Sequence, residues 1–356
     1  MLGAAEAQGP SPDAPGVGVG QEASTMQPTP GTSVARPAPA GDGAVIELRG
    51  LSKFYGKHRG IEGVDLTVAR GEIFGFLGPN GAGKTTTIRT LLDLIRRTSG
   101  EARVLGLDSE QGSMEIRRRT GYLPGEYGLY EGLKVEELLG FLLDLRSARG
   151  KEGRMRELCA YFELDLGRPI KELSKGNRQK VGLVQAFMHD PELVILDEPT
   201  AGLDPLMQQR FYSLARQEKA AGRTIFMSSH LLSEVEAVCD RVAIIRNGSI
   251  SLIEKLDVLR DRFGKDLKVT FGADVPREAL ELPGVEDIHQ EGRSFELTLR
   301  MGIDEVVKAI ARYPVVSMTV ETYHLEELFF DLYGDSADNE GRAAAIVKNH
   351  EGGGHR

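Results

Sequence analysis

Tryptophan is absent from the 356 residues, and cysteine occurs only twice, as Cys159 and Cys239. Two cysteines so far apart, each set in an apolar helical pattern, exclude a disulfide framework and read as reduced core residues of a cytosolic protein. No run approaches the roughly 18 consecutive apolar residues of a membrane-spanning helix. The richest runs, IFGFLG and LVILD, have the length of buried strands. The N-terminus carries no basic segment followed by an apolar one, so no secretory signal is expected. Positive charge is in deficit, with a net charge of -9. That balance argues against nucleic acid as the main partner, and plain solubility would produce it too. What is present, 40% hydrophobic and 27% charged residues, suits one large or two smaller soluble domains with a sizeable core.

Residues 1–43 are mostly Ala, Gly, Pro, Ser and Gln with few large apolar side chains. Such a segment cannot bury enough surface to offset chain entropy and reads as a disordered tail. AVIELR then alternates like a strand, and LSKFYG places Phe54 and Tyr55 just before a short polar loop, KHRG. VDLTVARGEIFGFLG reads as two strands across an Arg-Gly turn. In TTTIRTLLDLIRR, helical spacing places Ile88, Leu91, Leu92 and Ile95 inward. TSGEARVLG is a turn and strand, Met114 to Thr120 a basic helix, and Leu133 to Leu173 almost wholly helical by pattern. This last stretch reads as an α-helical subdomain, about residues 115–180, inserted into an α/β core.

Three clusters carry chemistry. FGFLGPNGAGKTTTI joins an apolar strand to a Gly-rich turn and a helix, and Gly78, Gly83, Lys84 and Thr85 fit G-x-x-x-x-G-K-[ST]. Glycines let backbone N–H groups converge on anionic oxygens, and the helix N-terminus adds its positive dipole. Lys84 would reach the β- and γ-phosphates and the Thr85 hydroxyl would ligate Mg²⁺. The second cluster is Leu193–Leu196, an apolar run suited to a parallel strand buried on both faces, which ends in Asp197 and Glu198. An acidic pair there is a solvated turn or, beside the phosphate loop, a site in which Asp197 holds the Mg²⁺ shell through water and Glu198 acts as general base on the attacking water. Third, RTIFMSSH ends in Ser228, Ser229 and His230. His230 is either a cap or a group that hydrogen-bonds a γ-phosphate. VAIIRNGSI adds a hairpin with an Asn-Gly turn.

With those residues in place, the stretch from about Ile46 to Phe263 resembles the nucleotide-binding subunit of an ATP-binding cassette (ABC) transporter. GPNGAGKT resembles the family's Walker A, LVILDE its Walker B, LSKGN its signature loop and AGLD its D-loop, with the His following in the family's order. The resemblance implies an α/β fold over residues 44–263, a P-loop NTPase core with an antiparallel β subdomain and the inserted helical subdomain. It implies ATP with Mg²⁺, held by Gly78, Pro79, Asn80, Gly81, Ala82, Gly83, Lys84, Thr85 and Thr86, and ATP hydrolysis by Glu198, His230 and Lys84. Two subunits, a homodimer or a pair of paralogues, would close head to tail, so that Ser174 and Gly176 reach the γ-phosphate held by the other copy and Asp204 lies at the same interface. Tyr55 resembles the aromatic that stacks on adenine, and it would otherwise be a strand-edge core residue. The resemblance further implies a separate integral-membrane permease contacted through Gly125 to Tyr130, a place at the cytoplasmic face of the membrane, and export.

Two departures stand out. Lys175 and Asn177 replace a Gly and the Gln of the family's LSGGQ, while Ser174 and Gly176 remain. Gly125-Glu126 stands where the family often carries a Gln; Glu126 either supplies a replacement oxygen to Mg²⁺ or faces solvent. Past Phe263, LKVTF, a short helix from PREAL, VEDIHQ, FELTLR, a helix around DEVVKAIARY and VVSMTVET read as a ferredoxin-like β-α-β-β-α-β domain over residues 264–335. The amphipathic HLEELFFDLYG follows, and 336–356 reads as a second disordered tail. A translation factor would carry two cassettes, and a chromosome-maintenance ATPase a long coiled-coil or zinc-bearing insertion. Neither feature is present; a regulatory, non-transport ABC-type module is the remaining alternative.

Overall fold

A computed structural model of the chain describes residues 43–126, 128–263, 265–299 and 303–322. The two expected tails and HLEELFFDLYG lie outside the described residues. β1 (Ala44–Tyr55) pairs antiparallel with β2 (His58–Ala69), so AVIELR and LSKFYG form one strand, its register shifting between Leu48 and Leu51. β3 (Ile73–Leu77) follows the Arg70-Gly71 turn but joins a different sheet from β2. The reason is compositional. β2 alternates between buried and exposed positions, whereas all five residues of β3 are buried and need cover on both faces.

α1 (Lys84–Leu91) stops earlier than its apolar spacing predicts, because Asp93 takes a left-handed conformation (φ 53°). Ile88, Leu91 and Leu92 are buried; Ile95, past the helix end, is only half-buried. β4 (Ser99–Val104) and β5 (Leu107–Asp108) complete a four-stranded antiparallel sheet in the order β2-β1-β4-β5. α2 (Ser113–Arg119) is the expected basic helix, and β6 (Thr120–Leu123) returns the chain to the second sheet.

Helices α3 (Val135–Leu145) and α4 (Glu152–Tyr161), a 3-10 turn at Ile170–Glu172 and α5 (Lys175–Phe187) form the helical region. It is less continuous than the pattern predicts, with left-handed residues at Ser147 (φ 53°) and Glu163 (φ 55°) breaking it into separate helices. β7 (Leu193–Asp197), α6 (Pro205–Ala220), β8 (Thr224–Ser229), α7 (Leu232–Val238), β9 (Arg241–Arg246), β10 (Ser249–Lys255) and α8 (Leu256–Phe263) follow. The second sheet runs β10-β9-β3-β8-β7-β6, parallel throughout except for β10. Asn247 (φ 48°) and Gly248 (φ 81°) make the turn before β10, as their sequence predicts.

Alternate residues of the parallel strands feed two cores. Val194, Leu196, Ile225 and Met227 pack with the helical region, including Leu139, Phe162, Val184 and Phe187. Leu193, Ile195 and Phe226 pack with the antiparallel sheet and α1. Phe226 stacks on Phe74 with ring centroids 5.9 Å apart. Burying such side chains on both faces, each worth about 1.5–3 kcal/mol, fixes where the carboxyl ends of these strands emerge. Both cysteines are free, and burial pushes the Cys159 thiol up to about 12, as an inert core residue requires.

β11 (Lys265–Phe271), β12 (Val285–Glu291), β13 (Ser294–Leu299), α9 (Ile303–Ile310) and β14 (Val315–Thr322) form a separate antiparallel sheet in the order β12-β13-β11-β14. PREAL does not make the expected helix: only a 3-10 turn, Arg277–Ala279, forms behind Pro276. Among the described residues no helix is long and apolar enough to cross a membrane.

Candidate functional site

The carboxyl ends of β3, β7 and β8 open into one cleft. Gly78 leaves β3 with its N–H bonded to the Ser229 carbonyl (3.1 Å), which ties the start of the phosphate loop to the end of β8. Gly83 has φ 112°, a conformation costly for any residue with a Cβ, and a Cβ there would also lie 2.7 Å from Ile61. Lys84 therefore begins α1 with the helix N-terminus facing the loop. Its buried ammonium donates to the carbonyls of Gly78 (2.5 Å) and Pro79 (3.2 Å) and lies 3.2 Å from Glu198 Oε1.

Asp197 is buried at the end of β7, where the Thr85 hydroxyl donates to its Oδ2 (2.8 Å) and the Ser228 hydroxyl to its Oδ1 (2.5 Å). Ser228 also accepts from the Glu198 N–H (3.1 Å). Glu198 itself has φ 53°, a left-handed conformation outside glycine's usual company. It is held there from both sides, since Gln179 donates to the carbonyls of Glu198 and Pro199, both at 3.0 Å. The turn aims the carboxylate into the cleft, where its Oε2 lies 2.6 Å from His230 Nδ1. Tyr122 stands close by, its hydroxyl pushed up to about 12 by burial and by the Asp197 charge, against the opposing pull of Arg89.

The cleft has a volume of about 700 Å³. Of the residues singled out from the sequence, Tyr55, Pro79, Asn80, Gly81, Gly83, Lys84, Thr85, Thr86, Glu126, Asp197, Glu198 and His230 line it. Gly78 and Ala82 do not; Gly78 is pressed against β9, where a Cβ would meet the Ile245 carbonyl at 2.5 Å, and Ala82 is buried. Ser174, Gly176 and Asp204 also stand apart from the cleft walls. In their own chain Ser174 caps α5, accepting from the Asn177 N–H (3.3 Å), and Asp204 caps α6, accepting from the Met207 N–H (3.0 Å). Tyr55 is 47% exposed, so it is not the strand-edge core residue that its position also allowed.

Sequence reasoning missed Arg59, Arg89 and Lys175 on the walls and the holding roles of Ser228 and Gln179. Gln179 left a readable trace as a buried amide among the apolar residues of α5. The arginines left none, because a charged residue in a loop or on an amphipathic helix reads as solvated surface.

Two hard oxygens, from Thr85 and Asp197, sit together beside the phosphate loop, a pair suited to Mg²⁺. Among the described residues no group of three His, Cys, Asp or Glu could hold a metal unaided. Any Mg²⁺ here would need further oxygens from phosphate and water, which is the ion's habit in such sites. Gly125 lies against this carboxylate; a Cβ there would come within 3.2 Å of Asp197 Oδ2. Glu126 lines the cleft beside it and is exposed.

Parallel sheet, phosphate loop and acidic strand end together define a P-loop nucleotide-binding cassette. The family model described as ABC transporter matches residues 61–201. The bacitracin transport ATP-binding protein BcrA of Bacillus licheniformis is 33% identical over 82% of this chain and 97% of its own length. An uncharacterised ABC transporter ATP-binding protein of Nostoc is 42% identical over 56% of this chain and 61% of its own, so the alignment spans under two thirds of that relative. A solved ATP-binding subunit of an ABC transporter superposes with a TM-score of 0.58 at 34% identity, over 61% of this chain and 92% of that one. The chain belongs to the ATP-binding proteins of ABC transporters.

Proposed function

We propose that the chain is the ATP-hydrolysing subunit of an ABC exporter, which closes in pairs around ATP and Mg²⁺ and moves a separate integral-membrane permease. The observation that carries this reading is the meeting of Lys84, Thr85, Asp197, Glu198 and His230 within one cleft at the strand ends. Lys84 exchanges its loop carbonyls for the β- and γ-phosphates, Tyr55 stacks on the base, and the loop glycines offer backbone N–H groups to the phosphate oxygens. Thr85 and Asp197, with Glu126 as an added oxygen, hold Mg²⁺, which neutralises charge on the β- and γ-phosphates. Glu198 takes a proton from the attacking water while His230 keeps its carboxylate oriented.

Ser174, Gly176 and Asp204, outside their own cleft, complete the site of a second copy or of a paralogous subunit. The division into an ATPase domain over residues 44–263 and an accessory domain over 264–335 belongs to the same reading. The strand order β12-β13-β11-β14 supports a ferredoxin-like accessory domain whose first helix has shrunk to a turn. A role in transport follows the Bacillus relative, a bacitracin transport protein. Export and a place at the cytoplasmic face of the membrane are carried over from the family resemblance alone.

The test is ATP turnover by the purified chain, alone and with its permease, against Glu198→Gln. Loss of the base lowers kcat by roughly 10²–10⁴-fold with ATP binding retained. Turnover that does not depend on Glu198, or none even with the permease present, would favour a regulatory ATP-binding module.

A further inference from the structure

Behind the cleft, outside the residues given a catalytic role, one carboxylate is buried without touching the nucleotide space. Glu234, in the first turn of α7, is 6% exposed. One of its oxygens accepts from the Thr200 hydroxyl and the other from the Ser229 hydroxyl. Thr200 is itself buried, two residues past Glu198 on the turn that leaves β7. Ser229 is the last residue of β8, immediately before His230. Glu234 therefore spans the two segments that carry Glu198 and His230.

We infer that Glu234 is a positioning residue, a brace that sets the Glu198–His230 alignment by tying the turn after β7 to the end of β8. Three features of the site converge on the braced segments. The Ser229 carbonyl holds the N–H of Gly78, so the brace also reaches the entry to the phosphate loop. Ser229 Oγ accepts from the Leu231 N–H (2.9 Å), which fixes the backbone on either side of His230. Thr200 accepts from the Leu203 N–H at its carbonyl (3.0 Å), so the same turn leads into the stretch capped by Asp204. A buried carboxylate is costly unless its lone pairs are satisfied, and here the hydroxyls of Thr200 and Ser229, neither of which lines the cleft, satisfy them. A merely structural Glu on α7 would need donors from its surroundings. It would have no need to take them from these two segments.

The inference rests on the ATPase reading, and the experiment separates the two. In the full chain, kcat and KM for ATP are measured together with the affinity for a fluorescent ATP analogue. The variants are Glu234→Ala, Glu234→Gln and Thr200→Val, with thermal unfolding as the control for folding. The expected result is a fall in kcat of about tenfold or more for Glu234→Ala, with analogue affinity within about twofold of the parent chain. Thr200→Val, which keeps the buried volume and removes one tie, falls between. Glu234→Gln, whose amide can accept from one hydroxyl and donate to the other, recovers most of the rate. An unchanged kcat in Glu234→Ala, or a loss of rate and affinity together in all three variants in step with lowered unfolding temperature, would overturn the brace. If the parent chain shows no Glu198-dependent turnover, the ATPase reading falls and takes this inference with it. Glu198-dependent turnover that ignores Glu234 sinks the brace alone.

Discussion

Replacing Ser228 with alanine removes one hydroxyl that donates to Asp197 Oδ1 (2.5 Å) and accepts from the Glu198 N–H (3.1 Å). Ser228 is fully buried, so water does not replace either bond. A hydrogen bond to a charged group is worth about 1.5–3 kcal/mol, and an orphaned N–H costs about 1–3 kcal/mol. Against these stands the left-handed backbone of Glu198 (φ 53°). Once untethered it can relax and recover about 1–2 kcal/mol. The net loss is about 2–3 kcal/mol, which lowers the unfolding temperature by about 5–10 °C in a domain of this size. The relaxation that softens the stability loss harms catalysis, because it turns the Glu198 carboxylate away from His230. In thermal unfolding followed by circular dichroism, run beside ATP turnover, Ser228→Ala is expected to lower kcat by about tenfold or more while KM moves less. A shift in unfolding temperature below about 1 °C with kcat within about twofold would refute the claim that this hydroxyl holds both acidic residues.

A Cβ at Gly60 would lie 2.9 Å from Cε2 of Tyr55, 3.0 Å from the Lys53 carbonyl and 3.1 Å from Thr86 Cγ2, so Gly60→Ala presses on the ring and on the β1 backbone just before it more than on α1. Stacking is worth about 1 kcal/mol or more, so ATP affinity should fall about fivefold while competition by inorganic tripolyphosphate is unchanged; equal losses would mean that the phosphate loop had moved instead. Burial, and then the nearby Arg146 charge, pull the His189 imidazole down to about 4. The unfolded chain binds that proton from about pH 6.5 downward and the folded chain does not, so this contribution to stability is complete above that pH and is lost as pH falls toward 4. His189→Gln should flatten the stability profile across this window, and an unchanged slope in urea titrations would contradict the assignment. Glu126→Ala should raise the Mg²⁺ concentration needed for half-maximal turnover, and an unaltered Mg²⁺ dependence would leave Glu126 as a solvent-facing residue.

The features readable in the sequence were those in which a local pattern has a single physical use. LVILD is too short for a helix and apolar on both faces, and it is β7, a fully buried parallel strand between β8 and β6. Asn247-Gly248 makes its turn because both positions need positive φ. Less legible were features decided by partners distant in sequence. The helix after the phosphate loop looks continuous through Ile95, yet Asp93 breaks it. The strands flanking Arg70-Gly71 look like neighbours and belong to separate sheets. At the site, Lys84, Thr85, Asp197, Glu198 and His230 were legible because their residue types carry the chemistry. Gln179 left only its place among the apolar residues of α5, and Ser228 and Glu234 left nothing, because serine and glutamate are ordinary at strand ends and in helices. Only the fold, which brings residues some 20 to 34 positions apart within hydrogen-bond distance, gives them a use.

The two departures in LSKGN bear on the proposed composite site through the cap that Ser174 forms. Its oxygen accepts from the backbone N–H of residue 177, so the cap is indifferent to whether that side chain is Asn or Gln. A hydroxyl has one donor and two acceptor pairs, and capping uses a single acceptor pair. The O–H therefore remains available in kind for a phosphate oxygen brought by another copy, at the end of a helix whose dipole already favours an anion. Gly176 is more constrained than its neighbours, since a Cβ there would lie 2.6 Å from the Gly202 carbonyl of the D-loop. Lys175 runs its aliphatic stem along Gly202 and lines its own chain's cleft. Of the two positions that were kept, Gly176 is fixed by the close approach of the Gly202 carbonyl and Ser174 by its use as a cap. In the proposed dimer this distribution keeps the two positions that would face the γ-phosphate of the other copy.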